Sequence, residues 1–134
     1  MNQSCFSIEM AVRDYECDLQ GVVNNAVYQN YLEHARHEFL KSIGIDFAEI
    51  TSQGINLVVT RVEIDYKLSL TSGDRFVVEI TTERISPVRF GFRQSIYRLP
   101  DRKPVVKALV IGTALNTKGR PQLTKELDPL FQYR

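Results

Sequence analysis

The hydrophobic period of the sequence changes twice, and this restricts the fold more than any other feature. Phe6, Ile8, Met10 and Val12 alternate with Ser7, Glu9, Ala11 and Arg13, the period of two of a half-buried strand, expected over Ser4 to Arg13. From about Asn25 to Ile43 the spacing widens to a helical one. Tyr28, Leu32, Ala35, Phe39 and Ile43 step by four or three, and Tyr31 and Leu40 broaden the stripe. Asn24 and Asn25 suit the helix N-terminus, and Gly44 its stop. A helix of roughly nineteen residues rising ~1.5 Å per residue is nearly 30 Å long, which makes it the central element of so small a chain.

After a short helical turn expected over Asp46 to Ser52, the period returns to two and stays there. Val62, Ile64, Tyr66 and Leu68 alternate with charged residues, and beyond Thr71-Ser72-Gly73-Asp74 the residues Phe76, Val78 and Ile80 alternate with Glu79, Thr81 and Glu83. These two segments read as antiparallel strands joined by a tight turn. Ser86-Pro87 breaks the pattern before a strand carrying Val88, Phe90, Phe92 and Ile96 on one face. Val105 to Leu115 is apolar on both parities, as in a strand covered on both faces. Pro121, Pro129 and mixed polar residues then predict a tail with no clear element. One strand, one long helix and four strands suit an α+β arrangement, an antiparallel sheet of about five strands wrapped around the helix.

The 134 residues are enough for a single domain over 1–134, and 43% hydrophobic with 25% charged residues is a globular composition. A net charge of +1 argues against nucleic-acid binding through a basic surface. The charge is uneven, because Arg84, Arg89, Arg93, Arg98, Arg102, Lys103 and Lys107 face only Asp101 as an acid within their stretch. Such a stretch suits the phosphates of coenzyme A or of a carrier-protein arm, although solvated strand charge explains it equally well. Cys5 and Cys17 lack a redox or zinc spacing, and no apolar run is long enough to span a bilayer. No metal or cofactor is expected. The N-terminus has neither a basic n-region nor an apolar core, so a cytoplasmic location is expected, with a removed plastid targeting segment as the alternative.

The segment most informative about function is Asp14-Tyr15-Glu16-Cys17-Asp18-Leu19-Gln20-Gly21-Val22-Val23-Asn24-Asn25-Ala26-Val27-Tyr28, continued by Tyr31, Glu33, Ala35-Arg36 and Phe39-Leu40. It resembles the motif of the hotdog-fold thioesterases related to 4-hydroxybenzoyl-CoA thioesterase, an aspartate, two variable residues, Gly-Val-Val and a helix opening on an Asn-Tyr or similar pair. Asn24 to Tyr28 with Arg36 to Leu40 is most similar to plant and cyanobacterial acyl-lipid and methylketone-synthase thioesterases. The resemblance implies a hotdog fold and hydrolysis of a fatty acyl thioester, 3-ketoacyl groups included, carried by coenzyme A or acyl carrier protein. It also implies a homo-oligomer, a dimer or a tetramer, with the site at a subunit interface. Many relatives carry histidine or tyrosine where this chain has Asn25, and an aromatic residue where it has Asn24, so side-chain roles at those positions do not transfer.

Thioester cleavage needs a nucleophile or activated water and donors for the developing oxyanion. The resemblance gives the first role to the Asp18 carboxylate, as nucleophile or general base, and the second to the backbone N–H at Asn25. A helix N-terminus suits that second role, since its N–H groups lack partners and the dipole is positive there. Asp18 ahead of Gly21 would also serve as an ordinary turn residue, and Asn24 as an ordinary cap. Tyr28 and Leu32 are expected to line the acyl pocket, as members of a stripe that is first of all core. Arg36 could pair with Glu33 on the helix surface or reach the mouth of the site. Arg89 and Arg93, on the strand face opposite Phe90 and Phe92, are the candidates for phosphate contact. A dehydratase or hydratase on the same fold would need a histidine base before the helix, whereas the first histidine is His34. A non-catalytic acyl-CoA binding protein is the alternative outside enzymes.

Overall fold

The computed structural model describes residues 5–132, so Ser4, the expected start of the first strand, lies outside the described residues. In chain order the elements are β1 (Phe6–Ala11), a 3-10 turn (Asp14–Glu16), α1 (Asn25–Ser42), α2 (Phe47–Ser52), β2 (Asn56–Tyr66), β3 (Arg75–Ser86), β4 (Arg89–Leu99), β5 (Pro104–Leu115) and a 3-10 helix (Lys125–Gln132). The five strands form one antiparallel sheet in the order β1-β3-β4-β5-β2, with α1 against one face. The expected architecture of five strands and one long helix is therefore the one observed.

The helix forms where its periodic stripe and caps put it. The Asn24 side chain accepts the Ala26 N–H at 2.9 Å, and Tyr28, Tyr31, Leu32, Ala35, Phe39 and Leu40 are buried. Gly44, with φ 83°, follows the last turn as a left-handed stop. α2 starts on the N-cap Asp46, whose carboxylate accepts from Ala48 and Glu49 N–H. On the sheet, the even-numbered residues of the central strands meet α1. Phe76, Val78 and Ile80 of β3, Phe90, Phe92 and Ile96 of β4, and Val106, Val110 and Ala114 of β5 form the core with the helix stripe.

Three sequence expectations need correction. β2 and β3 are not a hairpin: β2 pairs with β5, and β3 lies between β1 and β4. Thr71 to Asp74 is a tight turn, with Asp74 Oδ2 accepting the Thr71 N–H at 2.9 Å. The segment before it, however, passes across the N-terminal end of α1, burying Leu70 completely. Alternation reports which face of a strand is apolar but not which strand lies beside it. β5 is not covered fully on both faces, since Leu109 and Ile111 on the face away from α1 are half-buried. The tail does form an element, and Leu127 and Leu130 are buried by docking of the 3-10 helix on β3, where the Thr82 hydroxyl donates to the Leu130 carbonyl.

β2 begins at Asn56, earlier than its alternation shows, because a register shift between Val59 and Arg61 interrupts the pattern. Gly112 of β5 makes room there, where a Cβ would lie 2.8 Å from the Val58 carbonyl oxygen. Among the described residues, no helix is long and apolar enough to cross a membrane.

Candidate active site

The segment between the first 3-10 turn and α1 is a small hairpin. Cys17 and Val23 form an antiparallel bridge, Asp18 N–H donates to the Val22 carbonyl at 2.9 Å, and Gly21 N–H donates to the Asp18 carbonyl at 3.0 Å. Asp18 therefore opens the turn, with Gly21 at φ 82° closing it. The Asp18 side chain is exposed, and its Oδ1 accepts the Gln20 N–H at 2.8 Å and the Val22 N–H at 3.4 Å. Both contacts fall on one oxygen, so Oδ2 is not used in shaping the turn. The turn role and an open carboxylate thus coexist in this residue.

The hairpin delivers the chain directly into α1. Asn24 N–H donates to the Glu16 carbonyl at 3.3 Å, Val27 N–H to the Asn24 carbonyl at 2.9 Å, and Ala26 N–H to the Asn24 side chain. The Asn25 N–H, at the first helical position, has no acceptor among the described residues. It stands at the positive end of an 18-residue helix, where a carbonyl oxygen acquiring negative charge is stabilised. Asn24 is the cap, so the ordinary reading of its side chain is realised. The Asn25 side chain is exposed.

Three residues to which the sequence reading gave no site role fasten this hairpin. Tyr31 OH donates to Glu16 Oε1 at 2.7 Å, and Arg13 N–H donates to the same oxygen at 2.8 Å. Burial foremost, then the bond to the Glu16 carboxylate, pushes the Tyr31 phenol well above its ordinary pKa, so it remains a donor. On the other side, Leu70 accepts the Val23 N–H at 2.9 Å and donates its own N–H to Tyr28 OH at 2.9 Å. Tyr28 is buried, and burial is the main cause that raises its phenol pKa. Tyr31 was legible only as part of the helix stripe, while Glu16 and Leu70 carry no local signal, since their partners are supplied by the fold.

The other candidates separate into two groups. Tyr28, Leu32 and Arg36 lie on the side of α1 that faces β2, and Tyr66 of β2 reaches the helix start, with its hydroxyl 3.5 Å from the Asn25 carbonyl oxygen. Arg36 does not form a surface ion pair with Glu33. Its guanidinium turns under the helix and donates to Gln94 Oε1 at 3.0 Å, while Gln94 Nε2 donates to the Leu32 carbonyl at 3.0 Å. Burial lowers the Arg36 pKa, partly offset by Glu33.

Arg89 and Arg93 are exposed on the sheet face away from α1. Arg89 aligns with Thr113 of β5, whereas Tyr66, beside Asn25, aligns with Val106, a separation of roughly 20 Å along the strand. Within one chain these arginines do not converge on Asp18. Most of the basic stretch is also matched by partners: Arg93 with Glu83 at 2.9 Å, Arg98 with Asp101 at 2.6 Å, Arg102 with Glu79 at 3.0 Å, and Lys107 with Tyr97 OH at 2.5 Å.

An open carboxylate and an unpartnered helix N–H in one loop, on a sheet wrapped around that helix, can be compared with known proteins. Residues 12–133 match the model of a family described as the thioesterase-like superfamily. The chain belongs to that superfamily. It is 46% identical over 114 residues to the acyl-acyl carrier protein thioesterase ATL2, chloroplastic, of Arabidopsis thaliana, a match covering 85% of this chain and 61% of that protein. The chain thus spans about three-fifths of the length of this relative. Among solved structures, a 1,4-dihydroxy-2-naphthoyl-CoA thioesterase from Synechocystis superposes with a TM-score of 0.86 at 22% identity, covering 94% of this chain and 95% of that one. A hypothetical protein from Aquifex aeolicus also gives a TM-score of 0.86, at 28% identity, covering 95% of this chain and 99% of that one. The hotdog fold expected from the Asp18 motif is the fold of this superfamily member.

Proposed function

We propose that the chain hydrolyses a fatty acyl thioester, carried by acyl carrier protein or coenzyme A, to the free acid and thiol. The observation that supports this best is the pairing, in one pinned loop, of the exposed Asp18 carboxylate with the Asn25 N–H that has no acceptor among the described residues. The thioester carbonyl oxygen accepts that N–H, and the positive end of α1 favours the oxyanion that forms as the carbonyl is attacked. Asp18 supplies the attack, either with its own oxygen to give an acyl-enzyme anhydride or by taking a proton from water. Its fixed backbone and Asx-type bonds hold the carboxylate in place before substrate arrives. The 46% identity to the Arabidopsis acyl-acyl carrier protein thioesterase favours a carrier-protein thioester.

We further infer that the active form contains at least two copies, with the site near their junction. β2 is an edge strand of 11 residues, paired among the described residues only with β5, and Val59, Val62 and Tyr66 on it are exposed. Three exposed apolar side chains on a long edge strand, interspersed with Arg61, Glu63 and Asp65, suit burial against a second copy. Tyr66 connects this edge directly to Asn25.

The hydrolase reading is tested by free-thiol release from acyl-CoA and acyl-carrier thioesters. Asp18→Asn is expected to lower kcat by about 10²–10⁴. Undiminished turnover in Asp18→Asn and Asp18→Ala would remove Asp18 from the chemistry. Binding without turnover across the panel would replace the hydrolase reading with that of an acyl-thioester binding protein.

A further inference from the structure

Three depressions lie in a row along the side of α1 that faces β2. The first, at the helix start, is lined by Asn25, Tyr28, Tyr66 and Leu68. The second is a narrow gap between Gln29, Leu32, Arg36, Val62 and Val110. The third is a cavity of about 160 Å³ among Leu40, Phe47, Leu57, Val59, Phe90 and Phe92, with Arg36 on its near side. Along the row the helix residues rise in number while those of β2 fall from Tyr66 through Val62 to Leu57, so helix and strand run antiparallel along one seam. Asn25 and Arg36 are roughly 16 Å apart along this seam at the helix rise of ~1.5 Å per residue. Beyond its first depression the wall is mainly aliphatic and aromatic. The Arg36 head group is tied to Gln94, which leaves its methylene stem as the part suited to an apolar guest.

At the far end of the seam stand two rings. Phe47 and His37 stand edge to face with centroids 5.0 Å apart. Both line the 160 Å³ cavity, and both also line a larger open groove of about 630 Å³ beside Lys41, Ile45 and Ala48. The two rings therefore stand between the two spaces. Phe47 is the first residue of α2, and the Asp46 cap, bonded to the next two N–H groups, fixes where that ring can stand.

We propose that the seam between α1 and β2 carries the acyl chain away from Asn25, and that the Phe47–His37 pair sets the longest chain accepted. This rests on the thioester-hydrolase reading. A single methylene in an apolar pocket changes kcat/KM by about tenfold or more, so a fixed end wall gives a defined length limit.

The test is thiol release over a series of saturated straight-chain acyl thioesters, short to long, by wild type, Phe47→Ala and Gln29→Trp. Both substituted residues are exposed on one side, so neither change empties the core. Phe47→Ala joins the cavity to the outer groove, and kcat/KM for chains just beyond the wild-type limit is expected to rise at least about tenfold. Gln29→Trp narrows the second depression and moves the optimum to shorter chains. The same length profile in all three proteins, or shifts in the opposite directions, would overturn the assignment of the seam while leaving the hydrolase reading intact. Failure of the wild type to cleave any thioester in the series would remove the hydrolase reading and the seam with it.

Discussion

At the scale of single residues, the proposed site rests on a backbone group as much as on a side chain. The proposed donor at Asn25 is an N–H, so side-chain replacement there leaves it in place. Proline removes it selectively. The first helical position tolerates proline, and the preceding Asn24 already has the extended φ −65° and ψ 142° that a following proline demands. Asn25→Pro is therefore expected to retain the helical circular dichroism of the wild type while kcat falls by about 10²–10³. A kcat within a factor of about two of wild type would assign the oxyanion contact to another donor. The loop and helix start that carry Asp18 and Asn25 were legible because the turn, glycine and cap lie within a few residues of each other. Glu16 and Leu70 were not, because the first is fixed by Tyr31, 15 residues on, and the second by Tyr28, 42 residues back.

At the scale of elements, periodicity and capping predicted α1, α2 and the strands well, since these depend on neighbours along the chain. The 3-10 turn at Asp14–Glu16 escaped, and the largest element that escaped is the 3-10 helix at Lys125–Gln132. It is short and contains Pro129, and it is held by docking on β3. Leu130 is fully buried and its carbonyl accepts from Thr82, itself buried. Leu130→Ala is expected to destabilise the protein by about 2–5 kcal/mol, read from the urea midpoint at unchanged m-value. A midpoint shift worth less than about 0.5 kcal/mol would show that the segment is an ornament on the sheet rather than part of its core. The missed start of β2 has a different cause. The register shift at Thr60 inverts the alternation partway along the strand, so a search for one period stops there.

At the scale of the whole molecule, the unpaired edge of β2 connects stability to assembly. If that edge joins a second copy, the folded state is reinforced by mass action, and the melting temperature rises with protein concentration. Light scattering is expected to report a dimer or larger, and Val59→Lys combined with Val62→Lys to shift it toward monomer, because charge on an edge strand opposes pairing. A monodisperse, active wild-type monomer would refute the shared site. The sequence alone determined the α+β class, the single long helix with its caps, and the loop that brings Asp18 to the start of that helix. All of these are written in spacings of a few residues, where chain connectivity does the positioning. Only the tertiary structure decided that β2 pairs with β5 rather than β3, that Arg36 turns inward to Gln94 rather than outward to Glu33, and that Arg89 and Arg93 lie away from Asp18. Those outcomes depend on which distant segments share a sheet, and an alternating pattern is compatible with several strand orders until one core is packed.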